Sequence, residues 1–260
     1  VGKSTLFKAL TKKQVDIANY PFTTINPNVG VVAMPDERLE QVTRVIGSKE
    51  IHPAVFEFVD IAGLVKGAHE GAGLGNQFLA QIREVDAIIH LVRVFKDENV
   101  VHFDGSTSLT TGGAPDPVRD IETILSELQM KDEAAKEKEN LLSIKPQIII
   151  LNGRLEELPE LLADRIRALN YPYLTADLAE GLSEPDLKNI FRDFLKLLNL
   201  ITFFTANQNE ARSWLVREGT KAPQAAGVVH TDFEQKFIKA EVIDWEKLVE
   251  AAGPSINSGQ

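Results

Sequence analysis

Val1-Gly2-Lys3-Ser4-Thr5 opens the chain, and Leu6, Phe7 and Leu10 continue it at helical spacing, which predicts a short helix over Ser4 to Lys13. The pentapeptide has the ending of G-x-x-x-x-G-K-[ST], the glycine-rich turn that wraps nucleotide phosphates. Gly2 lets the backbone approach the anion, and the free amides at the helix start point at it. Lys3 neutralises the β/γ charge, and the Ser4 hydroxyl can ligate Mg²⁺. The strand and first glycine of the full motif would precede Val1, so the chain reads as part of a longer protein. A Gly-Lys-Ser in an ordinary turn is the plain alternative, and a second signal is needed to decide.

That signal is Asp60-Ile61-Ala62-Gly63, placed at the end of the β-branched and aromatic run Ala54-Val-Phe-Glu-Phe-Val59. An acid at such a strand end holds Mg²⁺, often through water. The glycine amide three residues on senses the γ-phosphate and orders the loop beyond it. Between the two motifs, Asn19-Tyr-Pro-Phe-Thr-Thr24 offers a threonine hydroxyl that can complete the Mg²⁺ shell. Gly71-Ala-Gly-Leu-Gly75 lacks the full spacing of a dinucleotide fingerprint, and a switch loop explains it better.

Outward from these motifs the chain alternates strand and helix. Strands are expected at Ala87 to Val94, Gln147 to Leu151 and Tyr173 to Ala176. Helices are expected at Leu74 to Val85, Asp116 to about Leu142, Glu156 to Leu169 and Glu184 to Leu198. This is the grammar of an α/β fold, a mostly parallel, Rossmann-like sheet with helices on both faces. Near Leu200 the pattern changes to short alternating strands, Ile201 to Thr205, Arg212 to Arg217 and Phe237 to Ile243. Two domains are therefore expected, 1–199 for nucleotide and 200–260 as a smaller α+β module.

Composition narrows the function classes. With 260 residues, 43% hydrophobic and 25% charged, the chain is long enough and apolar enough for a substantial core. It has no cysteine, which removes disulfides and thiolate metal sites together. A formal charge of −10 argues against binding nucleic acid through an overall positive field, and no sequence-specific DNA binding is expected. The longest apolar runs are far shorter than the roughly 18 residues of a membrane span, and the cytoplasm is the expected compartment.

The phrases Asn19-Tyr-Pro-Phe-Thr-Thr-Ile-Asn-Pro-Asn28, Phe58-Val-Asp-Ile-Ala-Gly-Leu-Val-Lys-Gly-Ala68, Gly73-Leu-Gly-Asn-Gln-Phe-Leu79 and Gly219-Thr-Lys-Ala-Pro-Gln-Ala-Ala-Gly-Val-Val-His-Thr-Asp-Phe233 closely resemble the YchF or Obg-like ATPase family of P-loop NTPases. The resemblance implies a P-loop nucleotidase domain followed by a β-grasp module, the TGS domain, here stopping before the family's final strands. It also implies a helical insertion of which only a charged remnant near 125–143 is present. Phosphates would lie on Val1, Gly2, Lys3, Ser4 and Thr5, and Mg²⁺ on Ser4, Thr24 and Asp60. The substrate would be ATP, with GTP as the other candidate, and the partner the ribosome.

Two positions depart from common patterns. Small GTPases orient the attacking water with a glutamine after Asp-x-x-Gly, but Leu64 stands there and cannot hydrogen-bond. The resemblance points to His102 as the substitute, since an imidazole can orient water and exchange a proton near neutral pH. From the residues alone His102 is one of five histidines, with His69 in the glycine-rich loop as its main rival. Guanine readers carry Asn-Lys-x-Asp after a strand, and the resembling ATP-preferring members Asn-x-x-Glu. This chain has Asn152-Gly153-Arg154-Leu155. Asn152 and Gly153 are the candidate base contacts, with an Asn-Gly turn as the simpler reading. An Obg-type GTPase and a nucleotide-dependent binding module with little turnover remain the alternatives.

Overall fold

The computed structural model describes residues 2–11, 29–61, 82–95, 116–134, 141–154 and 160–253. In chain order the elements are α1 (Lys3–Thr11), β1 (Val29–Ala33), α2 (Glu37–Ile46), β2 (Glu50–His52), β3 (Val55–Val59) and β4 (Ile88–Arg93). Next come α3 (Pro117–Ala134), β5 (Gln147–Asn152), α4 (Glu160–Ala168), β6 (Tyr173–Ala176) and α5 (Glu184–Leu197). The last are β7 (Leu200–Ala206), β8 (Glu210–Arg217), α6 (Ala222–Val229), α7 (Thr231–Gln235) and α8 (Trp245–Ala252). Two compact units result. One holds residues 1–30 and 57–193, the other residues 31–56 and 194–260.

The first unit is built on the parallel sheet β4-β5-β6, in which Ile88 pairs with Gln147 and Ile149 with Tyr173. The β5 run Ile148-Ile-Ile-Leu151 has no exposed surface at all. Side chains alternate across a strand, so total burial of four in succession means that both faces are covered, as parallel sheets require. On one face Ile149 and Leu151 pack with Val92, Val118, Ile121 and Ile166. α3 is described as far as Ala134, and residues 135–140 of the expected helix lie outside the described residues. The Asp132 carboxylate accepts from the amides of Leu142 and Ser143, both at 2.8 Å, and so draws the returning chain onto the helix end.

His90, mid-strand in β4, is a satisfied core residue as its position suggests: Nε2 donates to Gln147 Oε1 at 2.6 Å. Burial pushes its pKa below the ordinary value, outweighing the hydrogen bond to Gln147. The unfolded chain therefore binds a proton near about pH 6.5 that the folded chain refuses, so stability is full above that value and falls as the pH drops below it. Denaturant unfolding at about pH 7.5 and about pH 5.5 is expected to show a shallower loss in His90→Gln than in the unsubstituted chain. Parallel losses in the two proteins would remove His90 from the acid response.

The second unit pairs β7 with β8 antiparallel and β2 with β8 parallel. α2 is bounded by Asp36, whose carboxylate accepts from Arg38 N, and by Gly47 in the left-handed conformation. Arg38 forks onto Asp36 and also donates to Thr202 Oγ1, which ties α2 to β7. After β8 come helices. The run Phe237 to Ile243, expected as a strand, forms none and has no backbone hydrogen bond to a described residue. Its alternation marks a strand-like face, but a strand also needs a neighbour to receive its amides. Among the described residues no helix is long and apolar enough to cross a membrane.

Candidate functional site

α1 starts at Lys3, directly after Gly2, whose φ of +95° suits glycine alone at low cost. Leu6 N donates to Gly2 O at 2.8 Å, so turn and helix form one piece. Leu6 and Leu10 bury the helix, while Ser4 and Thr5 stay exposed on its first turn. Amides of a first turn lack intrahelical acceptors and carry the positive end of the helix dipole, which suits an anion.

β3 delivers Asp60 to the same place. Lys3 Nζ lies 3.0 Å from Asp60 Oδ1 and donates to Ile61 O at 2.6 Å. The two motifs that the sequence separates are thus in contact. Asp60 Oδ1 is buried yet has no directed hydrogen bond, so the ammonium meets it as a charge rather than as an aligned donor. A buried carboxylate oxygen with unused acceptor capacity suits Mg²⁺ or its water. Among the described residues no group of three or more His, Cys, Asp or Glu could cage a metal. Mg²⁺ is commonly held by one or two carboxylates, waters and substrate phosphates, so Asp60 and the Ser4 hydroxyl fit the ion.

Asn152 and Gly153, at the end of β5, adjoin this turn. Asn152 is buried, and its Oδ1 accepts from Leu178 N at 3.2 Å. A Cβ on Gly2 would stand 2.6 Å from Asn152 Nδ2. Gly153 N donates to Ala176 O at 3.1 Å. Arg154, next along, pairs with Asp177 at 3.1 Å and with Glu180. The hydrogen bond from Arg154 holds the Asp177 carboxyl below its usual range.

The segment Ala176 to Leu178 is therefore part of the site, although no motif in the sequence marked it. The available signal was positional: it lies just past the end of the next parallel strand, and ligands of open α/β sheets gather beyond the carboxyl ends of strands. Val1, Thr24, Gly63 and His102 lie outside the described residues, as do His69, Leu64 and Leu155. His52 contacts Glu50 at 3.2 Å and Glu210 at 3.5 Å, and His230 caps α7 by accepting from Asp232 N. Both have structural partners in the second unit.

Comparison with known proteins agrees with this geometry. A model described as a 50S ribosome-binding GTPase matches residues 1–152, and the YchF-GTPase C-terminal model, described as a protein of unknown function (DUF933), matches residues 200–258. The chain is 38% identical to the ribosome-binding ATPase YchF of Haemophilus ducreyi and 34% identical to that of Bacillus subtilis. Each alignment covers 97% of this chain and 88% of the relative. The solved structure of the Schizosaccharomyces pombe YchF GTPase superposes with a TM-score of 0.72 at 30% identity, covering 97% of this chain and 87% of that one. By sequence along nearly its whole length, and by a P-loop α/β fold followed by a second, C-terminal domain, this chain belongs to the YchF family.

Proposed function

We propose that this chain is a Mg²⁺-dependent nucleotidase that hydrolyses ATP to ADP and phosphate, and that its nucleotide state regulates engagement with the ribosome in the cytoplasm. The contact of Lys3 Nζ with Asp60 Oδ1 and Ile61 O carries the reading, because it joins a phosphate-binding turn to a metal-holding strand end. In the working enzyme Val1 to Thr5 cradle the phosphates, and Lys3 exchanges Asp60 for phosphate oxygens. Ser4, Thr24 and Asp60 hold Mg²⁺, which supplies charge neutralisation at the phosphates. The Gly63 amide senses the terminal phosphate, and His102 orients the attacking water. Residues 200–260 read as a TGS module that follows a nucleotide domain of 1–199.

The base preference rests on Asn152 and the residues just after it. A guanine reader needs a carboxylate three residues beyond the asparagine, to accept from two N–H groups of the base; Leu155 supplies none, so it argues against guanine, while it departs equally from the Asn-x-x-Glu of ATP-preferring members. The names of the bacterial relatives, ribosome-binding ATPase, support the choice of ATP. The yeast structure and the family model carry the word GTPase, which keeps GTP as the competing substrate.

Dissociation constants for ATP and GTP, with phosphate release measured with and without ribosomes, test the proposal. ATP is expected to bind more tightly, by up to about 4 kcal/mol where a site's polar groups discriminate fully. His102→Ala is expected to slow release by about 100-fold while leaving ATP affinity nearly unchanged. Tighter GTP binding would give the Obg-type GTPase, and an unchanged rate in His102→Ala would remove that residue from the mechanism. Saturable binding with negligible turnover, ribosomes present, would leave a nucleotide-dependent binding module, the reading that Leu64 in place of a water-orienting glutamine favours.

A further inference from the structure

Past Asn152 the chain leaves β5 through Gly153, which has no side chain and no room for one: a Cβ there would lie 2.6 Å from Val94 Cγ2. The first side chain beyond the candidate base contacts is therefore that of Arg154. It crosses from the end of β5 to the end of β6, where Nε donates to Asp177 Oδ2 at 3.1 Å and Nη2 donates to Glu180 Oε1. Asp177 is itself fixed, because its Oδ1 accepts from Ala179 N at 3.0 Å. Asn152 joins the same two strand ends through Leu178 N, and it also adjoins the phosphate turn at Gly2.

These pairings do little for stability. The Arg154 side chain is 56% exposed and that of Glu180 68%, and solvent screens ion pairs so placed. What two acceptors on one guanidinium achieve is orientation, since bonds to Nε and to one Nη lie in the plane of the group and fix that plane. With more than half of the side chain open to solvent, the plane remains accessible. Arg38 lies over Phe204, Arg93 over Phe95 and Arg212 over Trp214, whereas among the described residues Arg154 lies over no ring.

A planar cation held beyond the carboxyl ends of parallel strands, where ligands of open α/β sheets gather, suits a flat aromatic ligand. We infer that Arg154 stacks on the base of the bound nucleotide and selects purine over pyrimidine, with Asp177 and Glu180 as the positioning residues that hold its plane. The inference rests on the nucleotidase reading of this site and adds the class of base to it. Stacking uses the face of a base and ignores its hydrogen-bonding edge. Arg154 therefore treats adenine and guanine alike and leaves their discrimination to Asn152 and its neighbours.

Calorimetric titration of the full chain with Mg²⁺ and, in turn, ATP, GTP, CTP and inorganic tripolyphosphate tests this. Arg154→Ala is expected to weaken ATP and GTP about tenfold each, CTP by no more than about threefold, and tripolyphosphate not at all. Glu180→Gln keeps the guanidinium but loosens one edge of it, and is expected to weaken ATP about threefold with tripolyphosphate again unchanged. Both substitutions fall on exposed side chains, so both variants are expected to keep the urea midpoint of the unsubstituted chain. Loss of tripolyphosphate affinity equal to that of ATP in Arg154→Ala would place the guanidinium on the phosphates and overturn the inference. Unchanged ATP affinity, or equal losses for ATP and CTP, would overturn it as well. Failure of all four ligands to bind the unsubstituted chain would instead overturn the nucleotidase reading, and this inference with it.

Discussion

Lys3→Ala is expected to lower phosphate release by about 100- to 1,000-fold, the loss usual when one donor facing the developing charge is removed. Stability is expected to change by no more than about 1 kcal/mol, because the Lys3 and Asp60 side chains are 44% and 26% exposed and solvent screens their attraction. This separation is the informative part. The ammonium has two partners now, Asp60 Oδ1 and Ile61 O, and both are contacts it can exchange for phosphate oxygens without unfolding anything. Denaturant unfolding beside single-turnover phosphate release reads both quantities on one preparation. Wild-type turnover in a stable Lys3→Ala chain would dissociate the first turn of α1 from the reaction, whatever the second motif does.

The central strand of this site was legible because its burial is extreme. Ile148 to Leu151 is a continuous apolar run with no exposed surface, and only a strand covered on both faces keeps such a run out of water. In β4, by contrast, His90 interrupts the apolar residues, and Ile88, Ile89 and Leu91 are only partly buried. The joining of Gly2-Lys3 to Asp60 was legible for a chemical reason, since each motif lacks a purpose without the other. Less legible were features that depend on contact rather than on local pattern. The grouping of residues 31–56 with 194–260 arises from pairings such as Glu50 with Glu210, which no window of sequence contains. The Leu178 amide enters the site through a bond to Asn152 Oδ1, and its neighbours spell nothing distinctive. Phe237 to Ile243 shows the converse, where alternation specified a face while the partner strand was left open. α2 had readable ends, Asp36 before and Gly47 after, hidden behind the loop-rich stretch that precedes them.

Gly153→Ala is expected to destabilise the protein by about 3 kcal/mol and to weaken ATP binding about tenfold. Gly153 has φ +143°, where an L side chain is strained, and a Cβ there would lie 2.6 Å from Val94 Cγ2 and 3.3 Å from Phe95 N. The valine methyl can turn aside, but the backbone amide cannot retreat without moving the end of β4. Val94 N donates to Asn152 O at 3.1 Å and Gly153 N to Ala176 O at 3.1 Å, so displacement passes to both strand ends beside the candidate base contacts. Gly181→Ala separates backbone strain from collision: its φ is +90°, and a Cβ there would meet nothing within 4 Å. That substitution is expected to cost only about 1–2 kcal/mol and to leave ATP affinity unchanged. Urea midpoints give the stability difference, and equilibrium titration with ATP, well below each midpoint, gives the binding difference. If both alanine variants lose the same stability and neither loses affinity, the close approach of β4 and β5 has no part in holding Asn152 against the phosphate turn.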